Sequence, residues 1–266
     1  MARPRASSPS NGDAPHVIFG LDHITLGGAI TRDREAFLQE LGYQPALRAE
    51  HLGNLVIKQP WLTAYGDTHA LALFRAPQAA GVEIVDHYAT HGRADRLMPV
   101  LHGDAPMYAT DQLLDDVAGG RVWWSPTIEA GYVLRSGAAA PICDFVWRSV
   151  SPEASAEFWR LFGFTPEPAD QPTDRKFRFR GVDGVACSLT LVAAAPSTSL
   201  PTTRLDAAGF TCFAFVTTSV DRDVEDLQAR GLKTSAVASI TPGDRPLHVA
   251  FVEGPDGEVV ELIGSK

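Results

Sequence analysis

The sequence predicts an α+β protein built from four βαβββ units. Three observations support this fold class. Three segments, residues 21–45, 142–166 and 210–234, each contain an apolar strand, a polar joint, an amphipathic helix and a glycine. The distance from strand to glycine is the same in each segment. Short strand-like runs separated by turn residues then follow each helix.

The repeated distance is 19 positions, counted from His23 to Gly42, from Asp144 to Gly163 and from Cys212 to Gly231. Hydroxyl residues mark the predicted helix starts at Thr31, Ser151 and Ser219. The glycine is expected just past each helix end, where a left-handed backbone favours it. Unrelated segments rarely agree this closely, so we interpret the three as copies of one unit.

The remaining copy, second in chain order, follows the pattern less well. It is taken to begin at Val82, and its helix is predicted to end at Gly103. From His87 to Gly103 is only 16 positions, and Pro99 would break the helix late. It is counted as a unit because it fills the gap between the first and third copies.

The four units suggest two domains. Residues 17–136 would hold units one and two, and residues 141–266 units three and four, with a small-residue stretch between them. Residues 1–16 are rich in Pro, Ser, Asn and Gly and are predicted to be disordered.

Composition excludes several classes of protein. The net charge is −9 over 266 residues, and a chain without a long Lys/Arg cluster is not expected to bind nucleic acid. No apolar run approaches the roughly 18 residues of a membrane span. The three cysteines form no CxxC pair and lie in apolar runs, so we expect free thiols and a cytoplasmic location.

Two strings carry a family resemblance. The first strand reads GLDHITL at residues 20–26, and the last unit ends in GPDGEVVELI at residues 254–263. With βαβββ units, these strings resemble the vicinal-oxygen-chelate superfamily of glyoxalases, bleomycin-resistance proteins and extradiol dioxygenases. The resemblance covers residues 17–266 and is poorest in unit two. It implies two glyoxalase-like domains with curved mixed sheets and a cavity in each, and it leaves the function open.

The resemblance also implies where a metal would bind. In that superfamily the ligands come from the first strand of a unit, often as His, and from a carboxylate on the last strand. The matching first-strand positions here are His23, His87, Asp144 and Cys212, and the last-strand positions include Ala72, Thr190 and Glu261. His23, His87 and Glu261 are therefore the candidate ligands of a divalent metal such as Fe, Mn, Ni or Zn.

The second half departs from the enzyme pattern. Asp144 and Cys212 stand where the extradiol dioxygenases carry histidines, so no extradiol-type iron is expected there. If units one and four pair instead, His23, Cys212 and Glu261 would share a cavity. Glu261, Asp144 and His248 are the candidate catalytic groups. For each of these residues a purely structural role is the alternative.

The sequence therefore favours an enzyme of lyase, isomerase or oxygenase type that acts on a small oxygenated, partly aromatic metabolite. The alternative is a metal-free protein that sequesters a drug or metabolite. Both predict a small-molecule ligand and no nucleic-acid or membrane partner, and both leave a homodimer open.

Strand alternation places Val259, Glu261 and Ile263 on one face, predicted to line the cavity.

Overall fold

The computed structural model describes residues 18–117, 120–169, 171, 173–194, 200, 203–241 and 246–265. The predicted disorder of residues 1–16 concerns residues outside this described part. No helix within the described ranges is long and apolar enough to cross a membrane.

Units one and four have the predicted order of elements. Unit one consists of β1 (Ile18–Gly27), α1 (Arg32–Glu40), β2 (Gln44–Gly53), a 3₁₀ helix (Val56–Trp61), β3 (Thr68–Arg75) and β4 (Gly81–Asp86). Unit four begins at the thirteenth strand of the chain. This unit consists of β13 (Gly209–Thr217), α3 (Val220–Ala229), β14 (Lys233–Thr234), β15 (Ala238–Ile240), β16 (Leu247–Glu253) and β17 (Val259–Ser265).

Units two and three lie between them in the chain. Unit two consists of β5 (Leu97–His102), β6 (Gln112–Val117), β7 (Gly120–Ser125) and β8 (Ala130–Arg135). Unit three consists of β9 (Asp144–Ser149), α2 (Pro152–Leu161), β10 (Thr165–Glu167), β11 (Arg175–Arg180) and β12 (Ala186–Ala193).

The predicted helix ends are confirmed. Thr31 and Ser219 precede α1 and α3, and each accepts a hydrogen bond from a backbone N–H in the first turn. Ser151 is the N-cap residue of α2 but makes no side-chain capping bond. The three glycines that follow the helices have left-handed backbones, with φ of 87° at Gly42, 86° at Gly163 and 82° at Gly231. A residue with a Cβ is strained in that region, which is why glycine ends each helix.

Strand pairing forms two extended mixed sheets. The first has the order β2-β3-β4-β1-β13-β17-β16, with β14 and β15 both pairing with β16. The second has the order β6-β7-β8-β5-β9-β12-β11-β10. Phe210 on β13 pairs with Leu97 on β5, which links the two sheets through central strands.

This pairing groups the units differently from the two predicted halves. Unit one pairs with unit four through β1 and β13, and unit two pairs with unit three through β5 and β9. Residues 17–136 and 141–266 therefore do not each build a sheet of their own. Chain order could not show this, because antiparallel pairing of two first strands is a long-range contact that local patterns do not record.

The prediction for unit two was also wrong in its elements. The run beginning at Val82 is β4, which closes unit one, and the predicted helix before Gly103 is the strand β5. Leu97 to Leu101 are all buried, because β5 lies between β8 and β9. A short apolar run that contains a proline suits a buried central strand better than a helix. No helix occurs in the described residues of unit two.

The two faces of the first sheet differ in what they contact. One face packs against α1 and α3 in the main core, which contains Ile24, Leu26, Val260 and Leu262. The opposite face, which we call the inner face, carries a smaller cluster of Trp61, Leu62, Leu205, Cys212, Val249, Phe251 and Val259. The alternation predicted for β17 is confirmed, because Val259 and Val260 belong to different clusters.

Candidate functional site

Four central strands of the first sheet each direct one chemically reactive side chain toward the inner face. These side chains are His23 on β1, Glu83 on β4, Cys212 on β13 and Glu261 on β17. The strand registers relate them by an approximate twofold axis. Thr25 stands opposite Cys212 and next to Glu83, while Ala214 stands opposite His23 and next to Glu261. His23 thus corresponds to Cys212, and Glu83 corresponds to Glu261.

The imidazole lies between the two carboxylates. His23 Nε2 is 3.4 Å from Glu83 Oε2 and 3.8 Å from Glu261 Oε2. The three side chains are 6%, 17% and 13% exposed, respectively. Nε2 is buried and forms no hydrogen bond of normal geometry, so its contacts are ion-pair contacts. We call His23, Glu83 and Glu261 the inner-face cluster.

Charge balance explains the pKa directions in the cluster. Burial alone would lower the pKa of His23, but the Glu83 carboxylate, the Asp22 hydrogen bond and Glu261 together raise it to about 10. Burial acts on Glu83 in the opposite sense and is outweighed by His23, so the pKa of Glu83 is lowered. For Glu261 burial dominates and its pKa is raised. The imidazolium of His23 thus compensates the charge of Glu83. The ionised form of Glu261 lacks full compensation and is disfavoured by burial.

Cys212 has a different environment from its partner His23. It is 1% exposed, and burial together with the Glu261 charge raises the pKa of its thiol well above the usual value. Its Sγ lies 3.4 Å from the Phe213 carbonyl oxygen, to which the thiol donates. A neutral thiol that donates a hydrogen bond is a poor metal ligand, because cysteine binds metal as the thiolate.

Further polar groups surround the cluster. His69 and His87 have ring centroids 5.7 Å apart, and Asn54 Nδ2 is 3.5 Å from His87 Nδ1. His69 Nδ1 and Asn54 Oδ1 are buried without hydrogen bonds. With Lys58, whose charge influences the pKa values of Glu83 and Glu261, these groups form what we call the rim.

The 3₁₀ helix covers part of the inner face. The indole of Trp61 lies 5.9 Å from the Phe251 ring, centroid to centroid, and Lys58 Nζ is 5.7 Å from the same centroid. Trp61 Nε1 donates to Glu253 Oε2 at 2.9 Å, and the Trp61 carbonyl accepts from the backbone of Leu205. The 3₁₀ helix therefore packs over the β16 side of the inner face.

The structure separates the residues that the sequence singled out. His23 and Glu261 lie together, and His87 lies at the rim. Asp144 is half-buried on β9 of the second sheet. His248 lies on the helix side of β16, where its Nδ1 is 2.6 Å from Asp221 Oδ2 at the start of α3. The structure therefore does not bring Asp144 and His248 together with Glu261, because Asp144 belongs to the other sheet and His248 to the opposite face.

Glu83 is the residue that sequence reasoning missed. Its strand was assigned to the start of unit two, so Ala72 was taken as the last-strand position of unit one. A signal was present nevertheless, because Val82-Glu83-Ile84-Val85 has the same pattern as Val260-Glu261-Leu262-Ile263. Two matching last strands would have marked two matching carboxylates.

An open cavity of ≈ 530 Å³ lies elsewhere, at the ends of β6, β7 and β8. Its lining includes Asp104, Asp116, Arg121 and Arg135 but no residue of the cluster or rim. The cluster is the candidate functional site, because its buried ionisable side chains converge and have perturbed pKa values, which is typical of functional sites.

The rim histidines predict a loss of stability in mild acid. Burial and then the Lys58 charge lower the pKa of His69 to about 4 and that of His87 to about 3. Histidine in an unfolded chain titrates near 6.5, so between about pH 6.5 and 4 the unfolded state binds protons that the folded state excludes. The free energy of unfolding should therefore fall as the pH falls through this window.

Urea denaturation at a series of pH values would measure this loss. A His69→Gln/His87→Gln double variant should lose less stability than the wild type between pH 7 and 4.5. Equal slopes for the two proteins would contradict the assignment. His23 does not interfere in this window. Its raised pKa contributes stability that is fully present below about pH 6.5 and lost only as the pH rises toward about 10.

Comparison with known proteins supports the fold. No family model matches the sequence, and no curated protein sequence matches it. The structure is similar to a protein described as a putative dioxygenase from Bacillus subtilis, with a TM-score of 0.60 and 10% identity over 95% of this chain and 86% of that chain. It is also similar to glyoxalase I from Zea mays, with a TM-score of 0.58 and 14% identity over 92% of each chain.

Identities this low establish the architecture and leave the reaction open. The paired βαβββ units, the mixed sheets and the full-length structural matches agree with one another. The chain has a glyoxalase-like fold.

Proposed function

We propose that this protein is an enzyme that acts on a small oxygenated molecule at the inner-face cluster, with a divalent cation held by His23, Glu83 and Glu261. The observation that carries the proposal is the convergence of one imidazole nitrogen and two carboxylates from three of the four central strands, β4, β1 and β17. Burying two carboxylates beside one imidazole costs stability, and a function is the simplest reason to retain them.

The donor atoms suit a divalent cation. Atoms bound to one cation at about 2.1 Å lie roughly 3.0–3.4 Å apart, and His23 Nε2 and Glu83 Oε2 are 3.4 Å apart. Glu261 Oε2, at 3.8 Å from Nε2, would need to move by a few tenths of an ångström. Among the described residues no group of three or more such side chains is already arranged as a metal site, so binding requires this adjustment and the loss of a proton from His23.

Each group would have a separate role in the proposed reaction. A bound cation would polarise an oxygen atom of the substrate. Glu261, whose pKa is raised by burial, is suited to exchanging a proton with the bound molecule. The neutral imidazoles of His69 and His87 can donate hydrogen bonds to substrate oxygens.

A metal-free binding protein is the second candidate function. The observation in its favour is Cys212, a protonated thiol where the twofold relation would place a second imidazole. Trp61 and Phe251 would then provide apolar contacts for an aromatic ligand. The presence or absence of a stoichiometric metal separates the two functions.

Metal titration tests the proposal directly. We expect the wild type to bind about one Fe, Mn, Ni or Zn ion per chain and to release about one proton near pH 7, because His23, whose pKa is raised to about 10, must lose its proton. Calorimetry in buffers of different ionisation enthalpy measures the released protons. Asp144→Asn, in the second sheet, is the matched control and should behave as the wild type does.

Absence of a bound metal from the purified protein and from the titrated protein would contradict the enzyme proposal. Binding that is equally strong in a His23→Leu variant would show that the cation is held elsewhere. Tight binding of an aromatic compound by the metal-free protein would then support the second candidate.

A further inference from the structure

A β-bulge precedes the cluster histidine. Leu21 stands opposite Phe215 and His23 stands opposite Ala214, so Asp22 is an extra residue on β1 without a partner on β13. Neighbouring side chains on a regular strand point to opposite faces, whereas a bulge re-aims one of them. The bulge therefore brings the side chains of Asp22 and His23 close enough to bond.

An arginine holds the Asp22 carboxylate in place beside His23. Asp22 Oδ2 is 2.8 Å from His23 Nδ1. Arg75 Nη2 donates to both carboxylate oxygens at 3.0 Å, and Arg75 Nη1 donates to the Asp22 backbone carbonyl at 2.6 Å. Both oxygens of Asp22 are therefore occupied, and its carboxylate cannot rotate without breaking these contacts.

The backbone leaves room for this arginine. A Cβ atom at Gly81 would stand 2.9 Å from Arg75 Nη1 and 3.1 Å from the Phe74 carbonyl oxygen. Arg75 is 42% exposed and Asp22 is 28% exposed, while His23 is buried. Arg75, Asp22 and His23 thus form a chain of contacts from the surface to the inner-face cluster.

The twofold-related position provides an internal comparison. On β13 the register also slips by one residue, at Thr211 immediately before Cys212. Thr211 Oγ1 is buried there without a hydrogen bond, and nothing equivalent to the Asp22 contact forms. A bulge therefore occurs at the same position in units one and four. In unit one the bulge lets Asp22 bond to the His23 ring.

We propose that Asp22, re-aimed by the bulge and anchored by Arg75, is the positioning residue that turns His23 Nε2 toward Glu83 and Glu261. A hydrogen bond from Nδ1 to Asp22 leaves Nε2 as the only nitrogen that can face the carboxylates or a cation. An imidazole without that bond can rotate and exchange its two nitrogens. The consequence for metal binding rests on the proposed function, whereas the orientation of the ring does not.

The first test observes the ring itself. In the metal-free wild type, NMR should show a downfield, slowly exchanging Nδ1–H proton of His23. Asp22→Ala should abolish this signal, and Asp22→Asn, which keeps an acceptor oxygen, should retain it. Asp183→Ala is the matched control, because Asp183 lines the same surface cavity as Asp22 and its carboxylate accepts a local hydrogen bond from the Val185 backbone N–H. Persistence of the signal in Asp22→Ala would overturn the inference.

The second test uses metal affinity. Loss of the group that orients a metal-binding histidine typically costs about 10- to 100-fold in affinity, and we expect this loss in Asp22→Ala with substantial recovery in Asp22→Asn. Affinity in Asp22→Ala equal to that in Asp183→Ala would overturn the inference. If the wild type binds no metal, the proposed function fails, and the NMR result alone still decides the role of Asp22.

Discussion

Replacing His23 with leucine is expected to destabilise the protein by about 3–5 kcal/mol at pH 7, because removing one partner of a buried ion pair leaves the other charge uncompensated. Glu83 would be left as a buried carboxylate without its counter-charge, since its lowered pKa depends on His23. Leucine has a similar volume to histidine, so the loss should reflect charge more than packing. Metal binding should disappear in the same variant.

A double-mutant cycle separates the charge effect from the rest. Glu83→Gln alone should also destabilise the protein, and the combined His23→Leu/Glu83→Gln variant should be more stable than the sum of the single effects predicts. We expect a coupling free energy of about 1–3 kcal/mol from urea denaturation of the four proteins. Additive effects would show that His23 and Glu83 do not stabilise each other.

The single His23→Leu variant should also respond to pH in a diagnostic way. Without the imidazolium, burial is expected to raise the pKa of Glu83 above its unfolded value. A carboxyl group with a raised pKa costs stability at neutral pH, and that cost is relieved as the pH falls through the folded pKa. The stability difference between wild type and variant should therefore narrow toward pH 5.

Glu261→Gln is expected to move stability and function in opposite directions. Burial raises the pKa of Glu261 in the folded protein, so its ionised form costs stability above its unfolded pKa. Glutamine keeps the shape without the charge, and the metal-free variant should be more stable than the wild type by about 1 kcal/mol at pH 7. Metal affinity and activity should fall at least tenfold, equal to ~1.4 kcal/mol.

Glu83→Gln is the matched comparison for this result. The two carboxylates are related by the twofold axis and differ in pKa direction, because only Glu83 is the close partner of His23. Glu83→Gln should lower both stability and metal affinity, whereas Glu261→Gln should lower only the affinity. The stability gain of Glu261→Gln should vanish in acid, where the wild-type carboxyl is itself neutral. Normal binding by Glu261→Gln would move the site to His23 and His87.

The contrast between Glu83→Gln and Glu261→Gln shows how much folding stability the ionised Glu261 carboxylate costs. A buried carboxylate that reduces stability and supports binding is typical of functional residues, which are often suboptimal for folding. A residue retained only for structure would show the same sign in both measurements. Stability and metal affinity measured on one protein sample therefore distinguish a functional from a structural role for Glu261.

Local patterns were sufficient for the repeated unit. The 19-residue spacing, the helix starts at Ser and Thr, and the closing glycines depend on contacts within a few turns of chain, and all three are observed. Alternation on β17 likewise grouped Glu261 with Val259 and apart from Val260, because side chains on a strand alternate whatever the strand pairs with. His23 was singled out by the family resemblance, as the matching position on the first strand.

The partners of these residues were decided by tertiary structure. Pairing of β1 with β13 joins the first unit to the last and brings His23 to Glu261, and no local signal specifies which strands meet. The parallel register of β1 and β4 adds Glu83, which sequence reasoning had assigned to another unit. His248 lies on the helix side because side chains alternate along β16, where Val249 and Phe251 belong to the inner face. The sequence alone determined which unit is repeated, and long-range register determined which side chains form the site.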